Sequence, residues 1–531
     1  MITTQYDETR APDDVRTALK RQVPHRNALN RYDWFISASA AALTVATLSP
    51  VLTTSFGFLD DYIALYAHQT DPSVMREAAV LQGRPVVALL FSGFLSFVDT
   101  VGELAIMRAF SVALLAAVAA CTFTLLRRLD YDRLPAWLFA VGMLWLPSTQ
   151  VMASWATLLM APVALTFGVL ATTSLDRSLD RVAGGHESKI VRVKLLLPAV
   201  AMLSLALCTY QPAAMVYWPY VLLLLLAPVR RAWSARKLLT AAIVAGVTGA
   251  AACATAYAVL VIGASFVGAV DARSTVVTDF TAKAEFLLTQ AAPRIFDPLE
   301  LTPRPALALL IACVLVVFLF FAIGGGLRRQ TVGLALFLMA LPLSYFPSVI
   351  TAENFASARS LVAAFIVPLA AITLILQSPP LTKPWGGAWI RLAGAAVIGA
   401  LAFYVGFNRV SDYFAKPQQR ELALARAQVR PLLANARSPI VFVRSDYYTD
   451  SLAPGVSYGE FGHSSTSSVA GAFTQNLARE ETSRFLPGVE LVERSQIRSL
   501  PATTIVVDYG HLLDATENAV VYQAGEGLES K

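Results

Sequence analysis

The chain has 531 residues, of which 56% are hydrophobic and only 15% charged, with a mean hydropathy of +0.57. Soluble domains carry about 45–50% apolar and ~25% charged residues, so most of this chain is built for lipid. Its formal charge of +6 sits in short basic clusters between apolar runs, the pattern of membrane topology signals, and a nucleic-acid partner is set aside.

The opening stretch of roughly 32 residues is too long and too mixed in charge for a cleaved signal peptide, so the apolar run after it reads as an uncleaved first span. Taken in order, spans are predicted at about 34–54, 104–126, 134–147, 154–173, 195–210, 213–228, 239–263, 305–323, 332–350, 361–377 and 387–407, about eleven crossings in a polytopic helical bundle. The run "VVALLFSGFLSFV" at residues 86–98 is too short to cross and reads as a re-entrant or interfacial helix. Basic residues decide the orientation. The segments holding Arg16, Lys20, Arg21, Arg26, Arg31, Arg127, Arg128, Arg133, the cluster Arg177 to Lys194, the cluster Arg230 to Lys237, Arg328 and Arg329, with Arg10, Lys383 and Arg391, total roughly 22 Lys and Arg, against about 7 in the alternate loops. That asymmetry predicts a cytoplasmic N-terminus in the cytoplasmic (inner) membrane.

On this topology four polar stations face outward: "SFGFLDDYIALY" with Asp60 and Asp61, "QGRP" from Gln82 to Pro85, "TYQP" from Thr209 to Pro212, and "ENFASAR" from Glu353 to Arg359. A loop of roughly 264–304 joins them on that side. Beyond Asn408 the composition turns charged and mixed. There "SPIVFVRS" and "ATTIVVDYG" read as strands, and "QQRELALARAQVRPLLANA" and "SSVAGAFTQNLARE" as helices, giving a small extracytoplasmic α/β domain of about 115 residues. The predicted organisation is therefore 1–33 cytoplasmic, 34–410 membrane-embedded and 411–531 outside.

Cys121, Cys208, Cys253 and Cys313 lie in apolar runs without metal or disulfide spacing, and the five histidines are scattered, so no zinc site is expected. A divalent ion on Asp60 and Asp61 has no further support, and no cofactor is expected.

Sugar transfer from a polyprenyl phosphate needs a base for the acceptor hydroxyl, cations for the departing phosphate, and a groove open to lipid. Asp60 or Asp61 is the candidate base, since adjacent carboxylates in low-dielectric surroundings raise one another's pKa; the competing reading is a helix cap or an interfacial acid. Arg84 and Arg359 offer forked donors to a phosphate, or else anchor lipid headgroups. Arg294 and Arg304 are weaker candidates. Tyr210 is a candidate to stack on a sugar and Gln211 to bond its hydroxyls, against a plain turn at Pro212 and an aromatic belt. Glu353 and Asn354 are sugar-binding candidates of the same kind.

Asp60-Asp61-Tyr62 just after the first span, then Gly83-Arg84-Pro85, then Tyr210-Gln211, in this order, resemble the bacterial type II membrane glucosyltransferase family that modifies O-antigen, within the GT-C-like glycosyltransferases. The resemblance covers roughly residues 34–410. It implies an integral-membrane enzyme that takes a sugar from a polyprenyl-phosphate donor outside the cytoplasmic membrane, with the family's first-loop acids on Asp60 and Asp61 and Tyr62 beside the sugar. The acceptor would be a cell-envelope glycan or glycolipid, which the tail after about residue 415 would help to position. Members often carry a basic residue soon after the acids, where this chain has Ile63, Ala64 and Leu65. Two other function classes compete. A flippase for a lipid-linked sugar needs a polar path across the bilayer, for which Arg108 alone stands out in the predicted spans. A non-catalytic assembly protein would not need so many spans.

Overall fold

The computed structural model describes residues 29–183, 189–267, 275–298, 305–378, 388–433, 440–443 and 464–483, with shorter pieces between 485 and 523. Most of the expected cytoplasmic segment 1–33 lies outside the described residues, as do Arg304, Lys383, His25, His186, His463 and His511.

The chain is mainly helical. Helix α1 (Arg31–Leu48) starts at a reciprocal cap, in which Asn30 Oδ1 accepts the Asp33 N–H at 2.9 Å and Asp33 Oδ2 accepts the Asn30 N–H at 3.1 Å. There follow α2 (Asp60–Thr70), α3 (Pro72–Leu81), α4 (Pro85–Leu95), α5 (Leu104–Arg128), α6 (Arg133–Gly142), α7 (Pro147–Ser154), α8 (Met160–Ala183), α9 (Lys189–Leu207), α10 (Tyr217–Leu225) and α11 (Ala235–Val267). The second half holds α12 (Phe280–Phe286), α13 (Pro305–Ile323), α14 (Leu327–Ser344), α15 (Val362–Leu376), α16 (Ala388–Val410) and α17 (Lys416–Leu433), the last two joined through a π turn at Ser411–Ala415.

Among the described residues, four segments are helices long and apolar enough to cross a bilayer: Leu104–Arg128, Ala156–Leu179, Ala235–Val267 and Ala393–Ala427. Arg133–Trp145 and Pro147–Ser154 add a bent pair, and its 59° break falls at Pro147, whose missing N–H interrupts the helical ladder. Each of the eleven expected segments coincides with a helix. Several are cut short, among them Lys194–Leu207, Ala308–Ile323 and Val362–Leu376, so length and apolarity establish a multi-pass membrane protein without fixing the number of crossings. Helix α4 has 11 residues, about 16 Å at 1.5 Å each, roughly half of what a span needs. α5 and α8 form the centre, with 56% and 61% of their most apolar stretches buried, whereas α11 lies at the edge with 6%.

In the tail, β1 (Ile440–Val443), α18 (Ser465–Thr482), β2 (Glu490–Val492), β3 (Ile505–Asp508) and β4 (Val521–Gln523) build a sheet of order β2-β1-β3-β4. β1 runs parallel to β2 and β3, with Val441 opposite Glu490 and Ile440 opposite Ile505, while β4 is antiparallel to β3. The uninterrupted apolar runs "IVFV" and "IVV" suit central strands. This region shares its core with the helices that follow α1: Tyr62 and Leu65 of α2, Phe91 of α4, Leu422 of α17, and Phe473 and Leu477 of α18 belong to one apolar cluster. α18 packs directly on α2.

Candidate active site

The two acids at the start of α2 have different surroundings. Asp61 is fully buried: its Oδ2 accepts the N–H groups of Phe58 at 3.0 Å and Ala156 at 3.2 Å, and its Oδ1 accepts the Thr157 N–H at 2.7 Å. One carboxylate thus ties the loop before its own helix to the first turn of the 3₁₀ segment Ala156–Leu159 that leads into α8. Burial pushes its pKa up to about 6, against the pull of the Thr157 N–H, the Arg108 charge and the Phe58 N–H. The expectation that Asp61 could serve as the base does not fit a group turned wholly toward backbone amides. Asp60 is on the surface, its side chain 57% exposed, with Oδ2 3.8 Å from Nη1 of Arg359.

Strain and bracing set the Asp60 backbone. Leu59, just before it, has φ 44° and ψ −110°, in the region that L residues with a branched side chain avoid. The segment leading to it is clamped by Arg108, buried near the start of α5, whose guanidinium donates to the carbonyls of Val51 at 2.9 Å, Phe56 at 2.7 Å and Thr54 at 3.1 Å and covers the Phe56 ring. Arg108 therefore braces a loop end.

The cationic side is built from the turn after α3. Gly83 takes φ +70°, which a side chain resists, and a Cβ there would approach Leu260 to 3.2 Å and Gln211 Nε2 to 3.6 Å. The turn sends Arg84 toward the α9–α10 connection. Its Nε donates to Gln211 Oε1 at 3.0 Å, its Nη1 donates to Gln82 Oε1 at 2.8 Å, and its guanidinium lies 5.0 Å over the Tyr210 ring. Gln211 Nε2 in turn donates to the Gln82 carbonyl at 3.1 Å. The Tyr210 hydroxyl donates to the Arg359 carbonyl at 3.2 Å, and the Arg359 guanidinium sits 4.6 Å from the Trp155 ring centre and 5.1 Å from that of Phe355.

A continuous line therefore runs from Asp60 to Arg359, Tyr210, Arg84, Gln211 and Gln82. It brings together stations that are separated by up to about 300 residues of chain. Exposed Glu353 and Asn354 sit on the loop that leads to Arg359. That loop is tied down by Lys283, whose Nζ donates to the carbonyls of Ser348 at 3.1 Å and Glu353 at 2.9 Å, and by Arg294 and the Tyr345 hydroxyl on the carbonyls of Ala356 and Phe355. Arg294 thus serves the loop backbone. Tyr62 does not line the line at all. It is buried, its ring 4.7 Å from that of Phe473, its hydroxyl accepting the Gly57 N–H at 3.2 Å, so it faces α18 instead of an open surface for a sugar.

Trp155, Phe355 and Gln82 complete the line without having been singled out. Trp155 is masked by the apolar run around it, whereas Gln82 and Phe355 lie inside the quoted stations. Among the described residues no group of three or more His, Cys, Asp or Glu side chains could hold a metal ion, and the Asp61 carboxylate is turned away from Asp60 toward amides. An apolar groove of about 560 Å³ opens between α10, α11 and α14, lined by Met215, Trp218, Gly249, Met339 and Phe346. Its lining residue Met215 follows Gln211 by one helical turn.

Comparison with known proteins finds no matching family model, and no curated protein matches the chain. Among solved structures it is similar to the archaeal oligosaccharyltransferase AglB from Archaeoglobus fulgidus, recorded in complex with an inhibitory peptide and a dolichol-phosphate, at 11% identity and a TM-score of 0.41 over 78% of this chain. The match spans 62% of that protein's length.

Proposed function

We propose that this chain is an integral-membrane glycosyltransferase that moves a sugar from a polyprenyl-phosphate donor to a cell-envelope glycan or glycolipid. The proposal includes an N-terminus on the cytoplasmic side, about eleven crossings, and a reaction on the outer face. One observation carries it: an exposed carboxylate, Asp60, stands 3.8 Å from an arginine that is linked through Tyr210 to a second arginine.

In this reading Arg359 and Arg84 receive the donor phosphate, since guanidinium forks match phosphate oxygens. The phosphate competes with Asp60 for Arg359, which turns the Asp60 carboxylate to the acceptor hydroxyl. Asp60 takes the hydroxyl proton as the acceptor oxygen bonds to the anomeric carbon. The bond from that carbon to the phosphate oxygen breaks, and its electron pair leaves on the phosphate, whose charge grows by one and is met by the two arginines. Gln211, Glu353 and Asn354 are the proposed partners of sugar hydroxyls, and Tyr210 the surface on which the ring rests. The apolar groove beginning at Met215 supports a polyprenyl chain leaving the cluster into lipid.

The test is Asp60→Asn in the purified full chain, with donor binding read by polyprenyl phosphate alone and transfer read with a panel of polyprenyl-phosphate monosaccharides. Loss of a general base lowers the rate by about 10²–10⁴-fold with phosphate binding kept. A variant that transfers at the wild-type rate sinks the reading. So does a wild-type chain that moves labelled lipid across vesicles without consuming the sugar bond.

A further inference from the structure

The start of α2 is held from the far end of the sequence. Of the N–H groups around Asp60, that of Phe58 goes to Asp61, while that of Leu59 donates to Ser465 Oγ at 3.1 Å. The Ser465 hydroxyl itself donates to Gln418 Oε1 at 2.9 Å, so its proton is committed and its lone pairs are what Leu59 meets. Ser465 is in turn fixed by Glu421, buried in α17. Glu421 accepts the N–H groups of Ser465 at 3.0 Å and Thr466 at 2.9 Å, the Thr466 hydroxyl at 2.6 Å and the Ser464 hydroxyl. All of these tail groups are buried, which makes an unmet partner costly.

Two further grips align the same helices. Asn476 of α18 donates from Nδ2 to the Tyr62 carbonyl at 2.7 Å, one turn into α2, and Phe473 packs on the Tyr62 ring. Lower on α18, Glu480 Oε1 accepts the Val101 N–H at 2.7 Å. Leu59 is one of three described non-glycine residues with positive φ, and the other two lie outside this cluster. A strained residue persists where its surroundings over-determine it, and here the determining bond comes from the tail.

We infer that Ser465 is a positioning residue for Asp60, held by Gln418 and Glu421, and that the C-terminal segment thereby builds part of the active site. The inference rests on the reading of Asp60 as the base. Without the Ser465 oxygen the Leu59 backbone relaxes, and the Asp60 carboxylate swings away from the Arg359 side of the cluster while the phosphate-binding arginines, held by Tyr210 and Gln211, stay in place.

The experiment compares wild type, Ser465→Ala and Ser465→Thr as full chains, reading kcat and KM for a donor that the wild type uses, together with amide hydrogen exchange over residues 55–66. Removal of one buried hydrogen bond predicts a fall in kcat of about tenfold in Ser465→Ala, with KM within about twofold. Exchange near Leu59 accelerates, exchange in α5 is unchanged, and Ser465→Thr, which keeps the oxygen, recovers kcat. Unchanged kcat and exchange in Ser465→Ala overturn the inference while leaving the base assignment standing. A loss in kcat matched by faster exchange throughout α5 also overturns it, since that marks a merely structural bond. A wild-type chain that transfers no sugar fails the base assignment first, and the positioning role falls with it.

Discussion

Asp61→Asn separates the buried acid from its exposed neighbour through pH. Asp61 titrates near 3.8 in an unfolded chain and near about 6 in the folded one, because burial disfavours its charge more than three backbone N–H groups restore it. A folded pKa above the unfolded value means that the folded state binds the proton more tightly. The stabilisation is therefore complete below about pH 3.8 and is lost as pH rises through about 6. At about 1.4 kcal/mol per pH unit, the full effect is ~3 kcal/mol, and going from pH 8 to pH 5 recovers roughly half of it. The asparagine carries no titration. At pH 8 it gains relief from the buried charge and loses charge-assisted bonds at Phe58, Ala156 and Thr157, terms of similar size, so it melts near the wild type. Thermal unfolding of both proteins in the same detergent at pH 8 and pH 5 reads the difference. The wild type should gain on the variant as pH falls. An equal melting shift in the two proteins, or a variant that gains more than the wild type, refutes the reasoning about Asp61.

Arg359→Ala removes the cation beside Asp60 and lowers the transfer rate by about 10²-fold, as for other preorganised charges facing a leaving group; steady-state kinetics checks this, and little change would remove Arg359 from the phosphate. Gly83→Ala forces a Cβ onto a φ of +70° and against Leu260, costing about 1 kcal/mol and displacing Arg84, so polyprenyl phosphate binds more weakly at an unaltered Asp60; titration with polyprenyl phosphate reads it. Tyr210→Phe loses one hydrogen bond to the Arg359 carbonyl, about 1 kcal/mol, and slows transfer by less than about tenfold, whereas Tyr210→Ala also strips the face under Arg84 and slows it further.

Polar and charged groups in an apolar sequence stand out, which is why Asp60, Arg84, Gln211 and Arg359 are legible as stations without their distances. The different surroundings of Asp60 and Asp61 are not legible there, because they depend on amides at residues 156 and 157 that meet Asp61 only in three dimensions. Tyr62 misled for a related reason: an aromatic beside two acids looks like a sugar platform until Phe473, about 400 residues on, covers it. The strands "IVFV" and "IVVD" announced themselves by β-branched runs, yet nothing local marks Ser465 as the partner of Leu59. The expected span at about 134–147 met Pro147 at its end, and the break that a proline imposes becomes the bend between α6 and α7.

The central claim is that charged side chains remote in sequence form one phosphate-receiving site beside a single working carboxylate. It is tested most directly by a structure of the full chain in a lipid nanodisc with a polyprenyl phosphate bound. The account predicts the phosphate between Arg84 and Arg359, with Asp60 at its edge and the isoprenoid chain descending from Met215. A phosphate held at the opposite leaflet, or bound with the Asp60–Arg359 pair still intact, would contradict it.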